Sequence, residues 1–232
     1  MATNVEIVKS VEDGHNVIIT GQADTGKSFI INELYQLLAR QGKNVRITAT
    51  TGIASTMFPD ATTLHSFFGL MDGRFRTAQL INKISFDNNP HETKERIVKT
   101  DVLFIDECSM MSCKIMEQVE EIYRAVRKSD IVFGGMQIIL RGDFLQLRPV
   151  PNMAYDDPGQ YIFISDRFTF HRFILQDAQK QTESKYNQAF TYNIAKTLRI
   201  MIYIAYIFKK NVYMRRSEML NVHKKPNQII SR

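Results

Sequence analysis

Asn16–Leu38 reads NVIITGQADTGKSFIINELYQLL, and its reading decides the fold. The short apolar run Asn16–Thr20 stops at Gly21, which predicts a buried strand. Gly21 to Ser28 then has the spacing G-x-x-x-x-G-K-S of a phosphate-binding loop. Ile30, Leu34, Leu37 and Leu38 follow at i, i+4, i+7 and i+8, one face of a helix that Gly42 is placed to end. A second apolar run, NVRITAT at Asn44–Thr50, predicts another strand. Strand, glycine loop, helix and strand make a βαβ unit, and such units build parallel sheets.

The same alternation continues along the chain. DVLFIDE at Asp101–Glu107 predicts a third strand, four apolar residues followed by two acids. Ile115, Val119, Ile122, Tyr123 and Val126 recur at helical spacing. MQIILRGD at Met136–Asp143 predicts a fourth strand between glycines, and QYIFIS at Gln160–Ser165 a fifth. The pattern is that of an α/β protein with a doubly wound, mostly parallel sheet. Beyond Thr197 the composition shifts to an Ile/Tyr-rich stretch and a basic end. The expected organisation is one P-loop domain over residues 1–195 and a poorly specified tail over 196–232.

The loops after these strands carry the chemistry. A triphosphate needs hydrogen-bond donors and neutralising charge, and a glycine turn opening a helix supplies both. Gly21, Gln22, Ala23, Asp24, Thr25, Gly26, Lys27 and Ser28 would wrap the phosphates. Lys27 would reach the β- and γ-phosphates, and the Ser28 hydroxyl would coordinate Mg²⁺. Asp106 ends a buried strand, where a Walker-B aspartate holds the metal, and Glu107 beside it can orient or deprotonate water. GDFLQLRPV at Gly142–Val150 also follows a strand, at the edge where ligands of such sheets collect. Gln146 within it could hydrogen-bond a γ-phosphate or its water.

The bulk numbers narrow the class. Hydrophobic residues make up 44% and charged residues 23%, the balance of a globular chain rather than a disordered one. Two cysteines, Cys108 and Cys113, are too few for a disulfide framework or a zinc site. The first ten residues lack the basic-then-apolar pattern of a signal peptide, and the longest apolar run, Ile200–Phe208, is too short to span a bilayer. The formal net charge is +6, but seven of the 30 basic residues and one of the 24 acidic residues lie after Phe208. Residues 1–208 are therefore neutral overall, and the basic balance gives no argument that the folded part binds DNA.

Five blocks stand in a telling order: GQADTGKS, TATTGIAS, TTLHSFFGL, TDVLFIDECSMMS and GGMQIILRGDFLQLRPV. In that order the chain resembles superfamily I DNA helicases of the Pif-one (petite integration frequency) group. The likeness is strong over Asn16–Val150 and weaker to about Arg199. It implies a RecA-like motor domain that hydrolyses ATP with Mg²⁺ and acts on single- and double-stranded DNA. It also implies roles in DNA repair, recombination and replication. It assigns Lys27 and Ser28 to phosphate and magnesium, Asp106 to the metal, Glu107 to catalytic base and Gln146 to γ-phosphate sensing. Thr51, Gly52, His65 and Ser66 match segments that hold single-stranded DNA through backbone contacts. Phe67 and Phe68 would be stacking residues or, as an aromatic pair beside Leu64, part of the core. The expected compartment is the nucleus, with cytoplasm and mitochondrion as alternatives and secretion not expected.

The sequence departs from that pattern at five points. Asp24 replaces the loop's middle glycine. Arg148 replaces the first proline of the family's QLPPV. Lys180-Gln181 stands where an Arg-Gln is expected. The fifteen residues before Asn16 are not expected to carry the family's adenine-reading glutamine, and a second RecA-like domain is not expected within these 232 residues. Asp24 would repel a phosphate ~6 Å away by about 3 kcal/mol at an effective dielectric of ~20. That weakens binding by roughly tenfold to a hundredfold without abolishing it. The alternative to a helicase motor half is therefore a module that binds nucleotide or single-stranded DNA without catalysis. Nothing resembles a guanine-reading motif, which disfavours a GTPase.

Overall fold

The structure is a computed structural model that describes residues 4–23, 25–86 and 91–175. Asp24, Lys180, Gln181 and the basic tail lie outside the described residues. The elements run α1 (Asn4–Glu12), β1 (Val17–Gly21), α2 (Lys27–Arg40), β2 (Val45–Ala49), α3 (Gly52–Ser55), β3 (Thr62–Thr63), α4 (Leu64–Phe68), α5 (Thr77–Phe86), α6 (His91–Lys99), β4 (Val102–Asp106), α7 (Cys113–Arg127), β5 (Gln137–Gly142) and β6 (His171–Leu175). The six strands form one sheet in the order β3-β2-β4-β5-β1-β6. Every neighbouring pair is parallel.

Strand alternation explains the two layers. Val17, Ile19, Val102, Phe104 and Ile139 point to one face, where Ile30, Ile31, Leu34 and Leu38 of α2 and Ile7 and Val11 of α1 cover them. Ile18, Leu103, Ile105, Ile138 and Leu140 point to the other, under Met116, Val119, Ile122 and Tyr123 of α7. Both faces are buried, so the central strands read as continuous apolar runs rather than alternating ones.

The sheet order positions the site. β4, β5 and β1 lie side by side, so the loops leaving their carboxyl ends meet at one edge. Those loops begin with Asp106-Glu107, Gly142-Asp143 and the glycine loop before α2.

The predicted strand at Gln160–Ser165 is not one. Ile162–Ile164 is a single 3₁₀ turn, closed by Ile164 N–H to Tyr161 C=O at 3.1 Å and Ser165 N–H to Ile162 C=O at 3.2 Å. Its aromatic residues pack locally, Tyr161 stacking on Phe163 at 5.0 Å with both rings meeting Phe144, while Ile162 is buried in the main core. The strand beside β1 is HRFIL, His171–Leu175, mostly exposed, with a basic start that hides it from a hydrophobicity pattern.

Candidate functional site

The glycine loop is shaped by close approach at one end and by backbone angle at the other. A Cβ on Gly21 would sit 2.6 Å from Leu175 C=O and 2.8 Å from Thr25 Oγ1, so β6 leaves no room for a side chain there. Gly26 has φ 84°, the left-handed conformation that glycine adopts without strain, and from it α2 starts at Lys27. Gln22, Ala23, Gly26 and Ser28 are exposed. Thr25 Oγ1 donates to Gln22 C=O at 2.9 Å, closing the turn.

Lys27 is buried under this loop. Its Nζ donates to Gly21 C=O at 2.8 Å and to Gln22 C=O. Burial holds the ammonium below the ordinary lysine range, partly offset by the carboxylate of Asp143 and less by Glu107 and Asp106. Those carboxylates come from the loops after β4 and β5, so all three loops converge on one lysine.

Asp106 is buried at the end of β4, where burial pushes its carboxyl up and Arg141 pulls it back. Its Oδ1 accepts from Glu107 N–H at 2.8 Å and its Oδ2 from Arg141 Nη1 at 2.6 Å. Glu107 sits at φ 53°, ψ 41°, left-handed for a residue with a side chain. Such a conformation costs about 1–3 kcal/mol and persists where the surroundings over-determine it. Burial and then the Asp106 charge raise the Glu107 carboxyl above its ordinary value. Asp143 is buried, with Oδ1 accepting from Leu145 N–H at 3.0 Å and Oδ2 from Gln146 Nε2 at 3.1 Å. Gln146 is thus exposed but tethered, and Arg148 is exposed.

Ser28 and Asp106 are hard oxygen donors, which suits Mg²⁺; that ion takes one or two protein oxygens and completes its shell with phosphates and water. Among the described residues there is no larger cluster of His, Cys, Asp or Glu that could hold a metal. The fit has one complication: the outer oxygen of Asp106 is already paired with a cation. Sequence reading missed both Arg141 and Asp143. The available signal was a lone arginine closing the apolar run IIL, a charge facing the same side as Ile139.

The segments after β2 and β3 are tied to this edge. Thr50 N–H donates to Asp106 C=O at 3.1 Å, and Thr50 Oγ1 to Glu107 C=O at 2.9 Å. Thr51 Oγ1 caps α3 by accepting from Ala54 N–H at 3.2 Å, and Gly52 is exposed at the first helical position. Thr63 Oγ1 caps α4 by accepting from Ser66 N–H at 3.1 Å. Ser66 is exposed, but its C=O also accepts from Arg96 Nη2 at 3.3 Å, so both main-chain polar groups of this one residue are engaged. His65 is half-buried, with burial lowering its pKa, and it lines a cleft of about 150 Å³ with Thr50, Met111, Ser112, Lys114 and Asp157.

The stacking expectation for Phe67 and Phe68 is corrected. They are 3% and 0% exposed. Phe67 packs edge-on against Phe68 at 5.0 Å, and the Arg96 guanidinium lies 5.6 Å from its centroid. A stacking residue needs an open ring face, and these rings are core.

Comparison with known proteins decides the family. The PIF1-like helicase profile matches residues 3–195. The chain belongs to the PIF1-like helicase family. It is 37% identical to the ATP-dependent DNA helicase PIF1 of Emericella nidulans over 145 residues, 61% of this chain and 19% of that protein. The Pif1 helicase structure from Candida albicans superposes with TM-score 0.68 at 30% identity, covering 80% of this chain and 42% of that one. A Bacteroides Pif1 helicase in complex with ADP-AlF3 and ssDNA superposes with TM-score 0.61 at 29% identity, covering 81% and 45%. These likenesses establish the RecA-like α/β fold. The chain spans 19–27% of the length of the first curated PIF1-like relatives it matches.

Proposed function

We propose that this chain carries the nucleotide-binding half of a PIF1-like, ATP-dependent DNA helicase motor. The observation that carries the reading is the convergence of three loops on Lys27. The glycine loop, Asp106-Glu107 and Asp143–Gln146 leave adjacent parallel strands and share one electrostatic neighbourhood. The family's solved relatives support it, one of them a complex with ADP-AlF3 and ssDNA.

In this reading Gly21, Gln22, Ala23, Asp24, Thr25 and Gly26 cradle the ATP phosphates with Lys27 and Ser28. Lys27 Nζ exchanges the carbonyls of Gly21 and Gln22 for phosphate oxygens. Ser28 and Asp106 hold Mg²⁺, which when bound neutralises phosphate charge. Glu107 accepts the proton of the attacking water, and its raised pKa makes it a stronger base than an exposed glutamate. Gln146, tethered to Asp143, faces the γ-phosphate. Thr51, Gly52, His65 and Ser66 line the DNA side, and Thr50 links that side to Glu107. We place the domain boundary at residues 195/196, where the family match ends, with 196–232 as a basic tail. Work on nuclear DNA in repair and recombination is the accompanying biological reading. Among the described residues no helix is long and apolar enough to cross a membrane.

The test is ATP hydrolysis by the purified chain with and without single-stranded DNA. The reading expects DNA-stimulated hydrolysis that Lys27→Ala removes. Hydrolysis that survives in Lys27→Ala would overturn the assignment. Nucleotide and DNA binding without hydrolysis would reduce the chain to a binding module.

A further inference from the structure

Asp106, the expected metal ligand, already has a cation on it. β4 and β5 run parallel with Ile105 beside Leu140, so the next residues, Asp106 and Arg141, fall side by side on the face that α2 covers. Arg141 Nη1 lies 2.6 Å from Asp106 Oδ2, and the two side chains are 15% and 5% exposed. Oδ1 is taken by Glu107 N–H, so neither oxygen of this carboxylate is unengaged. The guanidinium sits centrally: its charge is felt by Lys27, Asp106 and Glu107 alike. It is bound to Asp106 through one N–H···O contact rather than the two-pronged fork that makes such pairs hardest to break. Its Nε–H is buried without an acceptor among the described residues.

A guanidinium stays protonated throughout the accessible pH range, so this cation cannot be titrated away. A divalent ion approaching Asp106 meets a carboxylate whose charge is cancelled and a positive group at contact distance. It gains less there than it would beside an unpaired aspartate, and it must share or displace Arg141.

We propose that Arg141 is a built-in counter-ion that competes with Mg²⁺ for Asp106 and so sets how strongly nucleotide binding depends on metal. The inference rests on the nucleotide-site reading above. It makes metal-free ATP a comparatively good ligand of this chain and makes the metal bind weakly on top of it.

The test uses the full chain with saturating ATP and Mn²⁺ as a spectroscopic stand-in for Mg²⁺, with bound Mn²⁺ read by electron paramagnetic resonance. The half-saturating Mn²⁺ concentration is expected to fall at least tenfold in Arg141→Gln. Arg141→Lys, which keeps the charge on a shorter arm, should shift it in the same direction by a smaller factor. It serves as the measurement if the uncharged variant does not fold, because truncation leaves Asp106 buried and unpaired. Equal Mn²⁺ affinity in the wild type and the folded variants, with ATP bound by all of them, would overturn this inference alone. Absence of ATP binding by the wild type, with or without metal, would overturn the nucleotide-site reading and this inference with it.

Discussion

At the carboxyl edge of the sheet two regions lie side by side and are built on opposite principles. The proposed nucleotide side, after β1, β4 and β5, buries charge: Lys27, Asp106 and Asp143 are all enclosed, Lys27 and Asp143 bonded within their own loops and Asp106 to Arg141 of the neighbouring strand. The side proposed to meet DNA, after β2 and β3, buries apolar groups and spends its polar side chains on shape, with Thr51 and Thr63 capping short helices and Phe67 and Phe68 filling the core. Substitution on the first side should therefore change chemistry, and substitution on the second should change stability first. Thr50 joins the two, donating to the carbonyls of both Asp106 and Glu107.

The sharpest way to break this contrast is Glu107→Gln. Loss of a general base should lower hydrolysis by roughly 10²–10⁴-fold. ATP binding and melting temperature should stay near wild type, as titration calorimetry and thermal melting would show. A matching prediction concerns pH. In the proposed role Glu107 works in its ionised form, and its pKa is raised, so that form is lost at a higher pH than for an ordinary glutamate as pH falls. The acid limb of the hydrolysis profile should lie above the ordinary glutamate range of ~4.3. An acid limb that stays in place in Glu107→Gln would remove Glu107 from the role.

On the DNA side Phe68→Ala should cost about 3–5 kcal/mol of stability, seen by chemical denaturation, because the ring is fully buried against Tyr123. A Phe68→Ala protein of normal stability would mean the aromatic pair is not core. Thr50→Val removes the bond to Glu107 C=O and should cost about 0.5–1.5 kcal/mol. Its informative readout is the ratio of hydrolysis with and without DNA, which should fall more than basal hydrolysis does. Ile53→Ala should be smallest, within about 0.5 kcal/mol for stability, because Ile53 is 85% exposed.

The strands behind the proposed nucleotide side were legible in the sequence, and the segments proposed to meet DNA only in outline. Strands β1, β4 and β5 are largely buried on both faces, so each stands out as an apolar run, and the loop letters after them are chemically distinctive. Parallel order then brings those loops together with no further information. β6 escaped because it starts His-Arg and keeps only Leu175 buried, so pairing with β1 defines it and composition does not. Gln160–Ser165 misled for the converse reason: Tyr161 and Phe163 serve a local aromatic cluster and Ile162 fills the core from a single 3₁₀ turn. Arg141 could not be assigned from spacing, since its partner lies 35 residues away and only strand register places them together. The phenylalanines of TTLHSFFGL show the limit of motif reading. A segment can match a family motif while its aromatic rings face inward.

The central claim is that loops from three adjacent strands make one nucleotide site around Lys27. It is tested most directly by the affinity of the purified chain for ATP, measured by titration calorimetry on wild type, Lys27→Ala and Ile53→Ala. The account predicts saturable binding by the wild type, at least a tenfold loss in Lys27→Ala, and no change in Ile53→Ala. Equal ATP affinity in wild type and Lys27→Ala would contradict it.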